Sequence, residues 1–138
     1  MLQILTFNLK IFEFEYWPTR KNKSDKKLKK ENDGFSLELI KTKDILFEAG
    51  KLKTNTQILV GFALETDNEK ENALKKLSRK NADLIVLNSL NDEGAGFGFD
   101  TNKITIFDKN QKEYQFPPKT KKEVASDIVN TIIQYRNE

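Results

Sequence analysis

The sequence predicts an α/β fold: an open, mainly parallel sheet in three layers, with helices packed on it and a β-hairpin near the end. Three observations carry this. Residues 60–88 read as strand, helix and strand with no slack between them, with Gly61 and Asn88 at the strand ends. The runs Ile58–Ala63 and Asp83–Leu87 are apolar almost throughout, the pattern of strands covered on both faces. The tail then switches to an alternating hairpin followed by an amphipathic helix.

Taken in order, residues 4–15 begin as an apolar stretch and alternate Phe12 and Phe14 with Glu13 and Glu15, which reads as a strand ended by Tyr16-Trp17-Pro18. Residues 19–33 are polar, lysine-rich and close on Asn-Asp-Gly, the composition of a mobile loop. Phe35, Leu37 and Leu39 alternate with Ser36 and Glu38 in a short strand, and Thr42 is placed to cap a helix over 43–51 with Ile45, Leu46 and Ala49 inward. Asp67 or Asn68 caps the next helix, whose apolar face is Ala73, Leu74 and Leu77. A glycine-containing loop spans 88–102. Strands at 103–108 and 114–116 flank the turn Asp108-Lys109-Asn110-Gln111. Pro117-Pro118 breaks the chain, and Thr120 with Glu123 forms a capping box for a helix that carries Val124, Ile128, Val129, Ile132 and Ile133 on one side. A doubly wound nucleotide site ordinarily opens with a strand, a glycine-rich turn and a helix; no such unit precedes Tyr16.

At 138 residues the chain has the length of one domain, read as 1–138 with 19–33 as a lysine-rich flap. It has no cysteine and no histidine. Disulfides, thiolate catalysis, imidazole bases and cysteine or histidine metal ligands are thereby excluded. Chemistry must run on carboxylates, amines, amides and backbone groups. No apolar run is long enough to span a bilayer and no cleavage site follows the apolar start, so the expectation is a cytoplasmic protein without membrane contact. The net charge of +3 conceals an asymmetry. Residues 20–30 hold seven basic side chains against Asp25, while the remainder carries 17 basic and 20 acidic residues. One local basic cluster suits a polyanion such as a triphosphate, or nucleic acid, better than a general DNA-binding face; nucleic acid is the weaker of the two, because aromatic residues do not interleave the cluster as in single-strand binders.

Several motifs have both a functional and an ordinary reading. Gly94, Gly96 and Gly98 lack the spacing of a phosphate loop, and a strand pattern follows them, so they read as a flexible loop. Lys26-Lys27-Leu28-Lys29-Lys30 is either a solvated loop or a flap whose ammonium groups close over phosphates. Lys76 and Lys80 lie about 40° apart around a helix and flank its apolar stripe, as snorkelling lysines or as ligands of an anion. Phe62-Ala63 and Leu87-Asn88 end apolar strands, where open α/β sheets bind ligands. Glu65, just beyond, is an acid at that edge or a surface carboxylate.

In this order the chain also presents Lys27-Leu28-Lys29-Lys30, Leu37-Glu38-Leu39-Ile40-Lys41-Thr42-Lys43-Asp44-Ile45-Leu46, Val60-Gly61-Phe62-Ala63-Leu64-Glu65-Thr66, Lys76 through Lys80, Asp83-Leu84-Ile85-Val86-Leu87-Asn88 and Gly96-Phe97-Gly98-Phe99-Asp100-Thr101-Asn102. Together these resemble the DNA/pantothenate metabolism flavoprotein family, in the C-terminal part of its phosphopantothenate–cysteine ligase (phosphopantothenoylcysteine synthetase) half. The resemblance covers about residues 15–136.

The resemblance implies a Rossmann-like fold and a CTP-dependent ligase of coenzyme A biosynthesis. CTP activates the carboxylate of 4′-phosphopantothenate as an acyl-cytidylate, pyrophosphate leaves, and the amine of L-cysteine displaces CMP. It implies Mg²⁺ with the nucleotide, no flavin in this part, and a homodimer. By the same resemblance Lys27 belongs to a flap that closes over the reactants. Lys43, Asp44, Ile45 and Leu46 line the cytidine site, Phe62 touches the nucleotide, and Lys76 and Lys80 hold the triphosphate. This chain departs from the family where Lys43 replaces a proline and where Glu15 stands for an aspartate that contacts CTP. The family's glycine-loop unit has no counterpart, so the expectation is a chain that does not complete the reaction alone. The rival expectation is a non-catalytic interaction or dimerisation domain that kept the fold and lost the activity.

Overall fold

In a computed structural model of the chain, residues 19–20, 39–89 and 99–138 are described, with side chains from 39 onward. The backbone falls into two compact units, Met1–Ile45 and Leu46–Glu138. The strand read over 4–15 and the lysine segment around Lys27 lie outside the described residues.

In the first unit, β1 (Thr19–Arg20) pairs antiparallel with β2 (Leu39–Ile40), Arg20 opposite Leu39. Thr19 and Arg20, read from sequence as loop, are therefore in a strand. Polarity pointed to a loop, whereas backbone pairing with β2 decides the outcome.

The second unit holds α1 (Ile45–Leu52, entered at Leu46), β3 (Val60–Glu65), α2 (Glu69–Arg79), β4 (Leu84–Ser89), β5 (Thr101–Asn102), β6 (Ile104–Asp108), β7 (Glu113–Gln115), β8 (Lys119–Thr120) and α3 (Lys121–Asn137). Among the described residues the main sheet runs β3-β4-β6-β7, and β5 pairs with β8 in a short antiparallel ribbon. β3 and β4 are parallel, joined by α2. β4–β6 and β6–β7 are antiparallel. The expectation of a mainly parallel sheet is thus corrected: the sheet is mixed. A parallel neighbour needs a crossover that returns the chain to the start of the sheet. Here the chain re-enters at the carboxyl end of β4, with Ile104 opposite Asn88, and runs back.

Alternation in β4 divides the core into two layers. Ile85 and Leu87 join Ala63, Ala73, Leu77 and Phe107 on the side of α2. Leu84 and Val86 join Ile104, Ile106 and Val124 on the side of α3, flanked by Ile128, Ile132 and Tyr135. α3 starts at the capping box read from sequence, with Glu123 N donating to Thr120 Oγ1 and Thr120 N to Glu123 Oε2. Val129 and Ile133 do not share its buried face and stay exposed. α2 follows Asn68, which adopts a left-handed conformation (φ 45°) and makes no side-chain cap.

Two glycines let α1 approach closely. A Cβ on Gly61 would lie 2.7 Å from Leu46 Cδ2, so Leu46 sits directly on β3. A Cβ on Gly50 would lie 1.9 Å from the Lys80 carbonyl oxygen, at the end of α2. Asn81 fastens the same junction by donating Nδ2–H to the Gly50 carbonyl at 2.7 Å.

Asp83, buried at the entry to β4, ties several segments together. Its Oδ2 accepts from Lys53 Nζ at 2.7 Å and from Leu59 N at 2.8 Å. Its backbone N–H donates to Leu59 O, and its carbonyl accepts from Lys109 N. Asp108, fully buried, organises the β6–β7 turn by accepting from Asn110 N and Lys112 N.

Two outcomes follow for stability. Gly50→Ala, which in an ordinary helix interior gains about 0.5–1 kcal/mol, should instead lose about 1–3 kcal/mol through overpacking; urea unfolding measures the sign. Asp83→Ala should cost about 3–5 kcal/mol, because it leaves Lys53 and the Leu59 N–H without their buried acceptor. Lys53→Met, which removes the charge instead, should cost less in the same assay.

Candidate functional site

The carboxyl ends of β3 and β4 place different chemistry on the two faces of the sheet. On the helix-pair side, Glu65 closes β3 and pairs with Lys76 on α2, Nζ to Oε1 at 3.1 Å, with both side chains partly buried. At the other end of α2, towards the amino end of β4, the helix-capping Lys80 is only 9% exposed. Its Nζ lies 5.6 Å from the centre of the Phe47 ring, and Lys51 Nζ lies over the same ring at 4.2 Å. The cation–π attraction of a desolvated pair of this kind reaches about 2 kcal/mol. Lys75, by contrast, points outward to Glu71.

On the opposite face, Phe62 and Leu64 follow the alternation of β3 and are 66% and 42% exposed. The expectation that this strand is covered on both faces is corrected. β3 is the outer strand of the described sheet, and the buried residues of α3 cluster with β4 and β6 instead. Asn88 stands opposite Leu64 on the same face, and its Oδ1 is buried with no hydrogen-bond partner. An unmet buried acceptor costs about 1–3 kcal/mol, and among the described residues nothing meets this one.

A cleft of about 580 Å³ opens beyond the end of β4, lined by Glu69, Leu87, Ser89, Lys103, Thr105, Gln115, Phe116 and Pro117. Ser89 Oγ donates to Glu69 Oε1 at 2.5 Å. Nearby, the Lys70 ammonium and then the Gln115 amide hold the Glu113 carboxyl below the usual carboxylate range. Among the described residues no group of three His, Cys, Asp or Glu side chains converges on a metal position, and no helix is long and apolar enough to cross a membrane.

Of the residues singled out from sequence, Phe62, Lys76 and Lys80 all belong to the second unit, but Phe62 faces away from the two lysines. Leu46 is engaged with Gly61. Lys43, Asp44 and Ile45 belong to the first unit: Lys43 is exposed, Asp44 half-buried and engaged, and Ile45 exposed at the start of α1. Glu15 and Lys27 lie outside the described residues. The cleft residues Glu69, Ser89 and Lys103 were missed. Ser89 was within reach of the strand-end rule, one residue past Asn88, whereas Lys103 needed the β4–β6 register.

A sequence model of the DNA/pantothenate metabolism flavoprotein C-terminal domain matches residues 16–135. The chain belongs to this family. A curated relative named cysteine/cysteine sulfinic acid decarboxylase, from an unknown prokaryotic organism, is 56% identical over 110 residues, covering 80% of this chain and 31% of its own length. The coenzyme A biosynthesis bifunctional protein CoaBC of Bacillus subtilis is 47% identical over 114 residues, covering 83% of this chain and 28% of its own length. The chain thus spans about 30% of these relatives. Among solved structures, the C-terminal domain of a CoaBC superposes with a TM-score of 0.59 at 45% identity, over 70% of this chain and 46% of that one. The flavoprotein of this family from Streptococcus pneumoniae gives 0.59 at 28% identity, over 79% and 46%. The mixed sheet with helices is the fold of these family members.

Because Phe62 is mostly exposed, Phe62→Ser should leave stability within about 0.5 kcal/mol of the parent chain. Phe107→Ser, at a fully buried position, should cost several times that in the same denaturation experiment.

Proposed function

We propose that this family member supplies the CTP-binding part of a ligase joining 4′-phosphopantothenate to L-cysteine through an acyl-cytidylate. The observation that carries the reading is the pair Lys76 and Lys80, drawn to one side of the sheet by Glu65 and Phe47, in a chain whose relatives include CoaBC. Nucleotidyl transfer needs positioning and charge neutralisation more than acid–base groups, which suits a chain without histidine or cysteine. In this reading Lys76 exchanges Glu65 for the triphosphate, which arrives with Mg²⁺, and Lys80 supports it. Lys43, Asp44, Ile45 and Leu46 line the cytidine. Glu15 contacts the nucleotide, and Lys27 closes over the reactants. Phe62 and Asn88 offer an exposed ring and an unmet acceptor to a substrate on the other face. The setting is cytoplasmic and the working form a homodimer.

A second reading, a non-catalytic interaction domain, draws on the exposed apolar side chains Phe62, Leu64, Val129 and Ile133. Calorimetric titration with CTP and Mg²⁺ separates the two. The ligase reading expects saturable binding that weakens about tenfold or more in Lys76→Ala, the loss of one charge-assisted hydrogen bond. Absence of binding by the folded chain, together with concentration-dependent association in light scattering, would favour the interaction domain. The chain alone should form little phosphopantothenoylcysteine, since it spans a minor share of its relatives; robust turnover would overturn that expectation.

A further inference from the structure

The two outer strands of the described sheet are built differently. β7 is three residues long, carries Glu113 paired with Lys70, and runs on into Phe116-Pro117-Pro118. Short length, charge and proline close a sheet edge to further strands. β3 has none of these along its middle. Its six residues keep unbroken register with β4, from Val60 opposite Leu84 to Glu65 opposite Ser89. Its one charge, Glu65, stands at the end and is engaged by Lys76. The outer edge of β3 also belongs to particular residues. The Leu59 carbonyl accepts from Leu84 N, so Leu59 turns its backbone toward β4. Backbone groups alternate between the two edges of a strand. Gly61 and Ala63 therefore face β4 as well, whereas Val60, Phe62 and Leu64 direct N–H and C=O outward. Among the described residues no strand pairs with that edge. Phe62 and Leu64 are also the residues of β3 whose apolar side chains are exposed, so unpaired backbone and uncovered apolar surface coincide.

We propose that β3 pairs antiparallel with β3 of a second copy of the chain across a two-fold axis. Such an interface is isologous, so the strand must be its own complement. β3 meets that condition. Outward-facing positions are opposed when Phe62 stands across from either Phe62 or Leu64 of the other copy, and both registers set apolar side chains beside one another on one face. In both, the two Glu65 carboxylates stay apart, each opposite Leu59 or Gly61 of the other copy. The pairing also closes. It joins two four-stranded sheets into one whose outer strands are both the guarded β7, so a third copy finds no open edge. A strand of another protein would satisfy the backbone equally but would need its own match for Phe62 and Leu64; a second copy brings that match with it. The inference gives the homodimer of the reading above a surface, and it rests on β3 alone, without nucleotide.

The test is sedimentation and amide hydrogen exchange of the intact chain over a range of concentrations. With rising concentration the chain should pass from monomer to dimer and stop there, and the Phe62 and Leu64 amides should exchange about tenfold or more slowly. The Gly61 and Ala63 amides, turned toward β4, should not change. Phe62→Lys and Leu64→Lys set a charge on the edge and should each weaken association about tenfold or more, with spectra that report intact folding. Val129→Ser, at an exposed apolar position on α3, should leave association unchanged. A monomer at every concentration, Phe62 and Leu64 amides equally protected at every concentration, association unaltered in both lysine variants, or association lost as readily in Val129→Ser would overturn the proposal. Calorimetric titration with CTP is a separate readout. A β3 dimer that binds no CTP leaves this interface standing and the ligase reading fallen; a monomer that binds CTP does the reverse.

Discussion

The pairing of Asp83 with Lys53 and the Leu59 N–H holds the second unit in register. Asp83 lies at the amino end of β4, where the connection from α1 to β3, the end of α2 and the β6–β7 turn all pass. One buried carboxylate meets the first with its side chain, and its backbone bonds Leu59 and Lys109. A buried charge of this kind is costly unless it is matched, and matching it requires all its partners in one place. That requirement sets where β3 starts against β4. The parallel pairing then carries the register from Val60 opposite Leu84 to Glu65 opposite Ser89.

With the amino ends so tied, the carboxyl ends are where side chains remain available. Glu65 with Lys76 faces the helix pair, Phe62 and Asn88 face the other way, and Ser89 with Glu69 borders the cleft. The position of α1 follows from two absent side chains. Gly61 admits Leu46 onto the sheet and Gly50 admits the Lys80 carbonyl, which brings Phe47 within reach of the Lys80 ammonium. A core contact and a candidate ligand contact are thus set by one helix placement.

Much of the second unit was legible from local rules. The capping box at Thr120 and Glu123, the 108–111 turn and the strand–helix–strand of 60–88 all fell where periodicity and turn chemistry put them, within a residue or two. The failures have one source. Apolarity states a preference for burial without saying whether a neighbour is present. Phe62, Leu64, Val129 and Ile133 satisfy the pattern of a core and remain exposed, because β3 is the outer described strand and α3 covers β4 and β6. Direction was out of reach for a related reason: β6 and β7 were legible as a hairpin, but that β6 pairs antiparallel with β4 is decided only by the contact of Ile104 with Asn88.

The sequence by itself determined the family, through a set of short motifs in order, and the class of chemistry open to it, since a chain without histidine or cysteine is left with carboxylates, amines and amides. It also determined the local elements, because caps, turns and periodicity act over a few residues. Tertiary structure alone decided which of those residues meet. That Lys76 finds Glu65 while Lys80 lies over Phe47, that Phe62 faces the far side, and that Ile104 stands opposite Asn88 all depend on strand register and on glycine-permitted helix approach. Those are long-range constraints, imposed by a buried charge and a close-packed core, and no window of neighbouring residues encodes them.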